Sequence, residues 1–164
     1  MNVDGSVRGD SCKQFLEKVV AVERTIQRHG INGYCSVEDF VLRNGKAWPV
    51  SQRPVCLKIG PLGECFRTSA SYALRWPDLY IYCEGFACGS LPVMHAWLLD
   101  DQGRVIETTW RDRGVDYFGI ALRPEYLEER LCEQKSYGLI DQPTERWPML
   151  RARPEAWRHQ IMEL

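Results

Sequence analysis

A cysteine, a histidine and a glutamate stand along this chain in an order that suits nucleophilic catalysis. Cys65 lies in Gly-Glu-Cys-Phe, where a loop rich in proline and glycine passes into a predicted helix. His95 lies in Val-Met-His-Ala-Trp-Leu-Leu, an apolar predicted strand, and Glu107 lies on the strand that follows. A thiolate nucleophile needs a base that takes up its proton and an acidic group that orients the base. The three residues therefore predict a site for cysteine-dependent acyl transfer.

The hairpin between these two strands decides whether the imidazole and the carboxylate can meet. Residues 101–103 make a suitable three-residue turn if Gly103 takes the left-handed conformation. Glu107 then becomes a diagonal neighbour of His95 on the same face of the sheet, close enough for a hydrogen bond. A turn one residue longer or shorter would move Glu107 to the opposite face.

The first turn of the predicted helix favours the ionised, reactive form of Cys65. A helix start exposes unpaired N–H groups and the positive end of the helix dipole, and both stabilise a thiolate. The same N–H groups can form half of an oxyanion hole. Side chains of the preceding loop can donate the second hydrogen bond, and their spacing favours none in particular: Asn44, Trp48 and Gln52.

Further residues are predicted to lie near this site. Aromatic side chains are expected to line or floor the groove: Trp97, Trp110, Tyr117 and Phe118. Glu84 is a second carboxylate on a predicted strand, and Gly85 after it could mark a bulge that turns it toward the cleft. A solvated or bulge-capping role for Glu84 is favoured over a catalytic one. Asp112 or Asp116 could replace Glu107 if the register of the hairpin slipped.

The segments that carry these residues resemble the transglutaminase-like branch of the papain-like cysteine hydrolases. That family has Cys at a helix start, His-Ala-Trp on a strand, and Asp before Pro-Thr on the next strand. This chain has GECFR at 63–67, HAWL at 95–98 and GRVIETTW at 103–110. The leader peptidases of lasso-peptide maturation carry a similar pattern of Cys and His-Ala-Trp. The resemblance covers residues 61–110.

The resemblance implies a role for each of the three residues. Cys65 would be the nucleophile, His95 the general base and Glu107, in place of the family's Asp, the orienting acid. A papain-like or transglutaminase-like core is implied, in which a central helix packs across an antiparallel sheet. The implied chemistry is hydrolysis or acyl transfer on a peptide or protein amide through an acyl-thioester, as in a protease, deamidase or transglutaminase, with no cofactor.

The elements that would position these residues make up one α+β domain spanning residues 1–164. A polar, loose N-terminus is predicted for residues 1–11. The segment 44–63, rich in proline and glycine, is predicted to be a loop with a short strand at 55–59. Apolar residues at helical spacing predict three helices: 12–29, 36–43 with Ser36 as its cap, and the central helix 64–75.

From Leu79 onward the apolar residues recur with a period of two, which is typical of strands. A helix over 125–134, opened by Pro124, follows the strands, and the tail after residue 147 is predicted to be partly helical. Helices, then adjacent strands, then a helix favour an α+β fold with an antiparallel sheet. The predicted strands are 79–87, 93–100, 104–110 and 117–122.

The composition excludes several classes of protein. The 164 residues are 45% hydrophobic and include six Trp, which excludes a mostly disordered chain and suits an apolar core. Lys and Arg number 21 against 22 Asp and Glu, so neither nucleic acid nor a membrane is expected as a partner. The apolar runs are too short to cross a bilayer, and the N-terminus lacks the apolar centre of an export signal. We therefore expect a cytoplasmic protein.

Seven cysteines, an odd number, favour free thiols in a reducing compartment. No close set of ligands completes a zinc site around Cys83 and Cys88 or around His29 and Cys35, so no metal is predicted. The sequence has no glycine-rich phosphate loop and no dinucleotide fingerprint. Basic and aromatic residues alternate in the tail 146–159, which favours a helix closing over the core. Two other functions stay open: a non-catalytic protein-binding module or inhibitor on the same fold, and a thiol redox sensor.

Overall fold

The structure is a computed structural model, and it describes most of the chain. The described residues are 11–26, 33–112, 114, 116–133, 137–140, 143 and 148–164. In chain order the elements are α1 (Ser11–Ile26), α2 (Val37–Asn44), β1 (Lys46–Ala47), α3 (Cys65–Arg75), β2 (Ile81–Cys88), β3 (Pro92–Leu99), β4 (Val105–Ile106), β5 (Asp116–Leu122), α4 (Pro124–Glu133), α5 (Pro148–Arg151), α6 (Pro154–Trp157) and a 3₁₀ turn (Arg158–Gln160). The predicted α+β class with an antiparallel sheet is confirmed.

The strands form a five-stranded antiparallel sheet in the order β1-β5-β2-β3-β4. The segment 46–51 reaches both edges of this sheet. Its first residues are β1, which pairs with β5 through Lys46 opposite Gly119. It then crosses to the other edge, where Val50 forms a bridge with Val105 of β4. Because one segment holds both edges, the sheet curls toward a closed barrel.

Alternation along the strands sends side chains into two apolar clusters, one on each face of the sheet. The outer cluster packs the helices against the sheet and includes Leu16 of α1, Phe40 of α2 and Ala70 of α3. The inner cluster fills the curl of the sheet and consists of Trp48, Cys83, Ala87, Trp97, Leu99, Val105, Tyr117 and Ala121. His95 is two residues before Trp97 on β3, so both side chains point toward the inner face.

The central helix α3 begins at Cys65, directly after a sharp turn of the chain. Gly63 has a φ of +86°, a conformation that glycine adopts without steric cost. Ser69 then fixes α3 to the sheet. Its hydroxyl donates to the Ala96 carbonyl at 3.2 Å and bonds the Thr108 hydroxyl at 2.8 Å. These contacts hold the start of α3 beside β3 and the segment that follows β4.

The predicted cap of the second helix is confirmed. Ser36 precedes α2, and its hydroxyl accepts a hydrogen bond from the Asp39 N–H at 3.2 Å. The first helix runs over Ser11–Ile26, and residues 27–29 of its predicted range lie outside the described residues. Residues 1–10 of the predicted loose N-terminus also lie outside them, whereas Ser11 is already helical.

Two predicted strands differ from the structure. No strand forms at 55–59, because the Leu57 N–H donates to the Pro54 carbonyl at 3.0 Å and closes a turn. Val55, inside that turn, is fully exposed. The strand predicted over 104–110 ends early, since β4 comprises Val105–Ile106 alone. The strand ends early because the carboxylate of Glu107 binds the N–H groups of the residues that follow it.

The C-terminal part packs on the outer cluster. Leu127 of α4 is fully buried there, and Trp157 of α6 contacts Phe40 edge-on with ring centroids 4.8 Å apart. This contact agrees with a tail that closes over the core, although residues 146–147 lie outside the described residues. Within the described ranges, no helix combines the length and apolarity needed to cross a bilayer.

Candidate functional site

The hairpin between β3 and β4 has the predicted register. Gly103 has a φ of +69°, and Leu99 lies opposite Val105 across the three-residue turn. This register brings Glu107 to the face of the sheet toward which His95 points. The hydrogen-bond ladder between β3 and β4 ends at Ile106. The Glu107 side chain therefore projects from the segment after the strand rather than from the strand itself.

His95 and Glu107 form a buried, hydrogen-bonded pair. The imidazole Nε2 lies 2.9 Å from Oε2 of Glu107, and the two side chains are 2% and 3% exposed. The Cys65 thiol lies near the same imidazole and is one of the groups that raise its pKa. Because Glu107 holds Nε2, Nδ1 is the ring nitrogen that remains for another partner. The imidazole therefore has the carboxylate as its hydrogen-bond partner and the thiol as a neighbour.

The surroundings of the pair favour its charged form. Burial alone lowers the pKa of His95, but the hydrogen bonds to Cys65 and Glu107 and their charges raise that pKa overall to about 9. Burial alone raises the pKa of Glu107, but the bond and charge of His95 and the N–H groups of Thr109 and Trp110 lower it overall. At neutral pH the pair is therefore an imidazolium beside a carboxylate.

The Glu107 carboxylate is held from several directions at once. Beyond the imidazole, its donors are the N–H groups of Thr108, Thr109 and Trp110 at 2.9, 2.8 and 3.0 Å, the Thr109 hydroxyl at 3.3 Å and the Tyr117 hydroxyl at 2.7 Å. A carboxylate that binds three consecutive N–H groups diverts them from a strand ladder and bends the chain. This explains why β4 ends at Ile106. It also fixes the carboxylate in the direction of His95.

Aromatic rings surround the imidazole. Trp110 is half-buried and stacks on His95 with ring centroids 4.3 Å apart. Trp97 and Tyr117 flank it at greater distance, each with its ring centroid 6.4 Å from that of the imidazole. Gly119 makes room for Trp97, because a Cβ at that glycine would lie 2.6 Å from the indole. The rings restrict the imidazole to one orientation and shield it from water.

Cys65 is the first residue of α3 and is 7% exposed. The Thr68 N–H donates to the Glu64 carbonyl at 2.8 Å, which is the first bond of the helical ladder. The N–H groups that precede it in α3 have no partner within the helix. The Glu64 carboxylate makes no capping bond and lies 3.8 Å from the Arg67 guanidinium. Its negative charge is thus partly balanced away from the sulfur.

The three predicted oxyanion donors differ in availability. Trp48 donates its indole N–H to a β5 carbonyl at 3.0 Å, and Asn44 donates its amide to an α2 carbonyl at 2.8 Å. Gln52 is exposed, and its amide is unengaged by the described residues. It lines a cleft of about 590 Å³ that also reaches Glu107 and Trp110. Of the three, Gln52 is the donor that remains accessible beside the site.

Glu84, the second carboxylate considered from the sequence, points to the other face of the sheet. It is fully buried and accepts hydrogen bonds from the Tyr82 hydroxyl at 2.6 Å and from the N–H groups of Leu139 and Ile140 at 2.6 and 2.8 Å. These bonds attach the segment 137–140 to β2. Gly85 pairs with both neighbouring strands in continuous register, so the predicted bulge is wrong. The predicted solvated or bulge-capping role is wrong with it.

Phe118 and Asp116 are separated from the imidazole by the sheet. Successive residues of a strand face opposite sides, and Phe118 accordingly belongs to the outer cluster while Tyr117 belongs to the inner one. Asp116 accepts a hydrogen bond from the first turn of α1 at 2.6 Å, and Asp112 is exposed. Since the hairpin register did not slip, neither aspartate replaces Glu107.

The cysteines and the potential metal ligands are dispersed. All seven cysteines are free thiols, of which Cys56 and Cys132 are exposed. In the part of the chain that the structure describes, no three side chains of His, Cys, Asp or Glu are grouped as ligands for a metal ion. Cys83 is fully buried, and burial raises its pKa well above that of a free thiol. Such a thiol is chemically inert at neutral pH.

Two hydroxyl groups of the site were not assigned from the sequence. Tyr117 was expected as an aromatic wall, but its hydroxyl also donates to Glu107. The period of two along β5 could have indicated the role of Tyr117, because it places this residue on the same face of the sheet as His95. No pattern marks the hydroxyl of Thr109, whose contact with Glu107 depends on the bend after β4.

No protein-family model, no curated protein and no solved structure matches this chain. Its function must therefore be inferred from its own residues, above all from Cys65 and the His95–Glu107 pair.

Proposed function

We propose that this chain is a cysteine-dependent amide hydrolase or acyltransferase, with Cys65 as nucleophile, His95 as general base and Glu107 as orienting acid. The proposal includes a papain-like or transglutaminase-like core, in which α3 carries the nucleophile across a curled antiparallel sheet. The observation that carries it is the buried His95–Glu107 pair with the Cys65 thiol beside it, contributed by three separate parts of the fold. Each group has the chemistry that its role requires.

The acid–base state of His95 supports this assignment. Its raised pKa means that the imidazole is protonated at neutral pH. An imidazolium stabilises a neighbouring thiolate, and the thiolate is the form of cysteine that attacks carbonyl carbon. Glu107 keeps the imidazolium charged and oriented, since its carboxylate is itself held by backbone N–H groups and by Tyr117.

In the first half-reaction, the Cys65 sulfur forms a bond to the carbonyl carbon of a peptide or protein amide. The carbonyl electron pair moves to oxygen, and N–H groups at the start of α3 stabilise the resulting charge, with the Gln52 amide as the second donor. The carbon–nitrogen bond then breaks. His95 gives its proton to the leaving amine, and the acyl group stays on sulfur as a thioester.

In the second half-reaction, the neutral imidazole of His95 takes a proton from water or from an acceptor amine. The oxygen or nitrogen attacks the thioester, the carbon–sulfur bond breaks, and Cys65 returns to the thiolate beside an imidazolium. Water gives hydrolysis, or deamidation when the leaving group is ammonia, and an amine gives transamidation. All three reactions share the first half-reaction and the same three residues.

Selective alkylation of Cys65 tests the proposal. The protein is treated with iodoacetamide over a range of pH, and the adducts are mapped by mass spectrometry, with the exposed thiols of Cys56 and Cys132 as internal references. We expect Cys65 to react fastest below neutral pH, where ordinary thiols are protonated. The His95→Ala variant should lose this advantage, because no imidazolium then stabilises the thiolate.

The same experiment separates the rival functions. If Cys65 reacts no faster than Cys56 and Cys132, the enzyme proposal fails, and a non-catalytic binding module or inhibitor on this fold becomes the better reading. Comparable reactivity at many thiols, with disulfides that form and reduce reversibly, would instead favour a redox sensor. A pull-down with Cys65→Ala then identifies the peptide or protein that the cleft retains.

A further inference from the structure

The cleft beside the candidate site carries two arginines that the reaction scheme leaves without a role. It is formed where the segment after β1 meets the segment after β4, and its volume is about 590 Å³. The cleft is lined by Ser51, Gln52, Arg53, Glu107, Trp110, Arg111 and Asp112. Arg53 is half-buried and Arg111 is exposed, so both guanidinium groups are accessible to a ligand in the cleft.

The two arginines of the cleft have no partner among the described side chains. Neither Arg53 nor Arg111 forms an ion pair or a side-chain hydrogen bond with another described residue. Both guanidinium groups therefore keep their hydrogen-bond donors available, within the described residues, for a carboxylate from outside the protein.

Trp110 connects this charged cleft to the reacting groups. Its indole lines the cleft and also stacks on the His95 imidazole at 4.3 Å. A substrate whose carbonyl carbon lies at Cys65 can therefore extend past Trp110 into the cleft.

We propose that the cleft binds a carboxylate of the substrate, so that the chain acts on acidic peptides, with Arg53 and Arg111 as the specificity-determining residues. This inference rests on the proposed function. The planar guanidinium group presents paired N–H donors that match a carboxylate, and such charge-assisted bonds are stronger than neutral ones. An uncharged isostere such as glutamine would leave both arginines without a partner, which disfavours its binding.

Two matched probes test the inference on the intact protein. N-chloroacetyl-glutamate α-amide and N-chloroacetyl-glutamine α-amide alkylate thiols alike and differ in a carboxylate against an amide. We expect Cys65 to react about tenfold faster with the glutamate probe at low ionic strength, and the ratio to fall as salt screens the guanidinium charges. Rates at the exposed Cys56 give the intrinsic ratio of the two probes.

Charge-removing variants locate the effect. Arg53→Gln and Arg111→Gln should each lower the glutamate-to-glutamine rate ratio at Cys65, and the double variant should bring it close to the ratio at Cys56. Arg75→Gln is the matched control, because it removes the same charge from the far end of α3, about 15 Å from Cys65. Thermal unfolding of each variant checks that the substitutions leave the fold intact.

The outcomes distinguish this inference from the proposed function. If the glutamine probe labels Cys65 selectively while the ratio is unchanged in the double variant, the carboxylate preference is refuted and the nucleophile stands. If the ratio in the wild-type protein does not respond to salt, the charge argument is likewise refuted. If neither probe distinguishes Cys65 from Cys56, both proposals fail together.

Discussion

Two buried glutamates on opposite faces of the same sheet have nearly the same local environment. Glu84 faces outward from β2 and is fully buried, and Glu107 faces inward at the end of β4 and is 3% exposed. Each accepts a tyrosine hydroxyl, from Tyr82 at 2.6 Å or Tyr117 at 2.7 Å. Each also accepts at least two backbone N–H groups, which satisfy the buried charge.

The difference between the two glutamates lies in what they hold in place. Glu84 binds the N–H groups of Leu139 and Ile140 and so attaches a distant segment to the sheet. Glu107 binds N–H groups of its own bend and turns its remaining acceptor toward His95. Burial and hydrogen bonding alone therefore do not mark a carboxylate as functional. What distinguishes Glu107 is a titratable partner, His95, that lies near a thiol.

The reactivity of Cys65 should separate the two glutamates most strongly. Glu107→Gln removes the charge that keeps His95 protonated and oriented, so we expect alkylation of Cys65 below neutral pH to slow about 100-fold or more. Glu84→Gln makes the same carboxylate-to-amide change on the other face of the sheet, and it should leave the alkylation rate of Cys65 within about threefold of the wild-type rate. Equal losses in both variants, measured with iodoacetamide, would mean that Glu107 acts on the fold rather than on the site.

The stability of the segment 137–140 should depend on Glu84. Glu84→Gln leaves one of its N–H donors facing an amide instead of a carboxylate, and we expect a loss of about 2 kcal/mol in the free energy of unfolding. Hydrogen exchange at Leu139 and Ile140 should accelerate in this variant. The matched variant Glu107→Gln should leave exchange at these two amides unchanged, and acceleration in both variants would contradict the assignment.

The two tyrosines give a finer version of the same contrast. Tyr117→Phe and Tyr82→Phe each remove one buried hydroxyl from a carboxylate, at a cost of about 1 kcal/mol in unfolding free energy. Only Tyr117→Phe should also slow the alkylation of Cys65, by about fivefold, because Glu107 then orients His95 less firmly. A rate loss of the same size in Tyr82→Phe would argue against a positioning role for Tyr117.

The pH dependence of the unfolding free energy should also distinguish the two glutamates, with a smaller effect than the substitutions above. The pKa of His95 is raised in the folded protein to about 9, so its bond to Glu107 contributes fully below the unfolded value of about 6.5. That contribution is lost as pH rises through about 9. The pKa of Glu107 is lowered, so on the acid side its contribution is present above the unfolded value of about 4.3 and is lost as pH falls through the folded value.

Urea unfolding at pH 6 and pH 9.5 measures this contrast. The stability difference between the wild-type protein and Glu107→Gln should shrink at the higher pH. For Glu84→Gln the difference should stay constant, because the N–H donors of Glu84 do not titrate and the pKa of Tyr82 is raised well above its usual value by burial and by Glu84. A difference for Glu107→Gln that does not change with pH would contradict a charged pair.

Local chemistry explains which parts of the fold were predictable. Gly103, the last residue of the three-residue turn 101–103, determines the hairpin register, and this register brings Glu107 to the face of His95 as expected. The cap at Ser36 and the start of α3 near Cys65 follow from equally short patterns. The prediction of a strand at 55–59 was wrong, because an apolar run that follows Pro54 can form a turn as readily as a strand.

Local sequence specifies the chemical type of each side chain at the candidate site, the period of each element and the turn that aligns His95 with Glu107. Those features depend on neighbours within a few residues, where backbone geometry leaves few choices. The folded structure selects which buried carboxylate binds the imidazole and which one binds the N–H groups of the segment 137–140. It also decided that the segment 46–51 joins both edges of the sheet, because long-range packing and hydrogen bonds select among faces that local patterns leave equivalent.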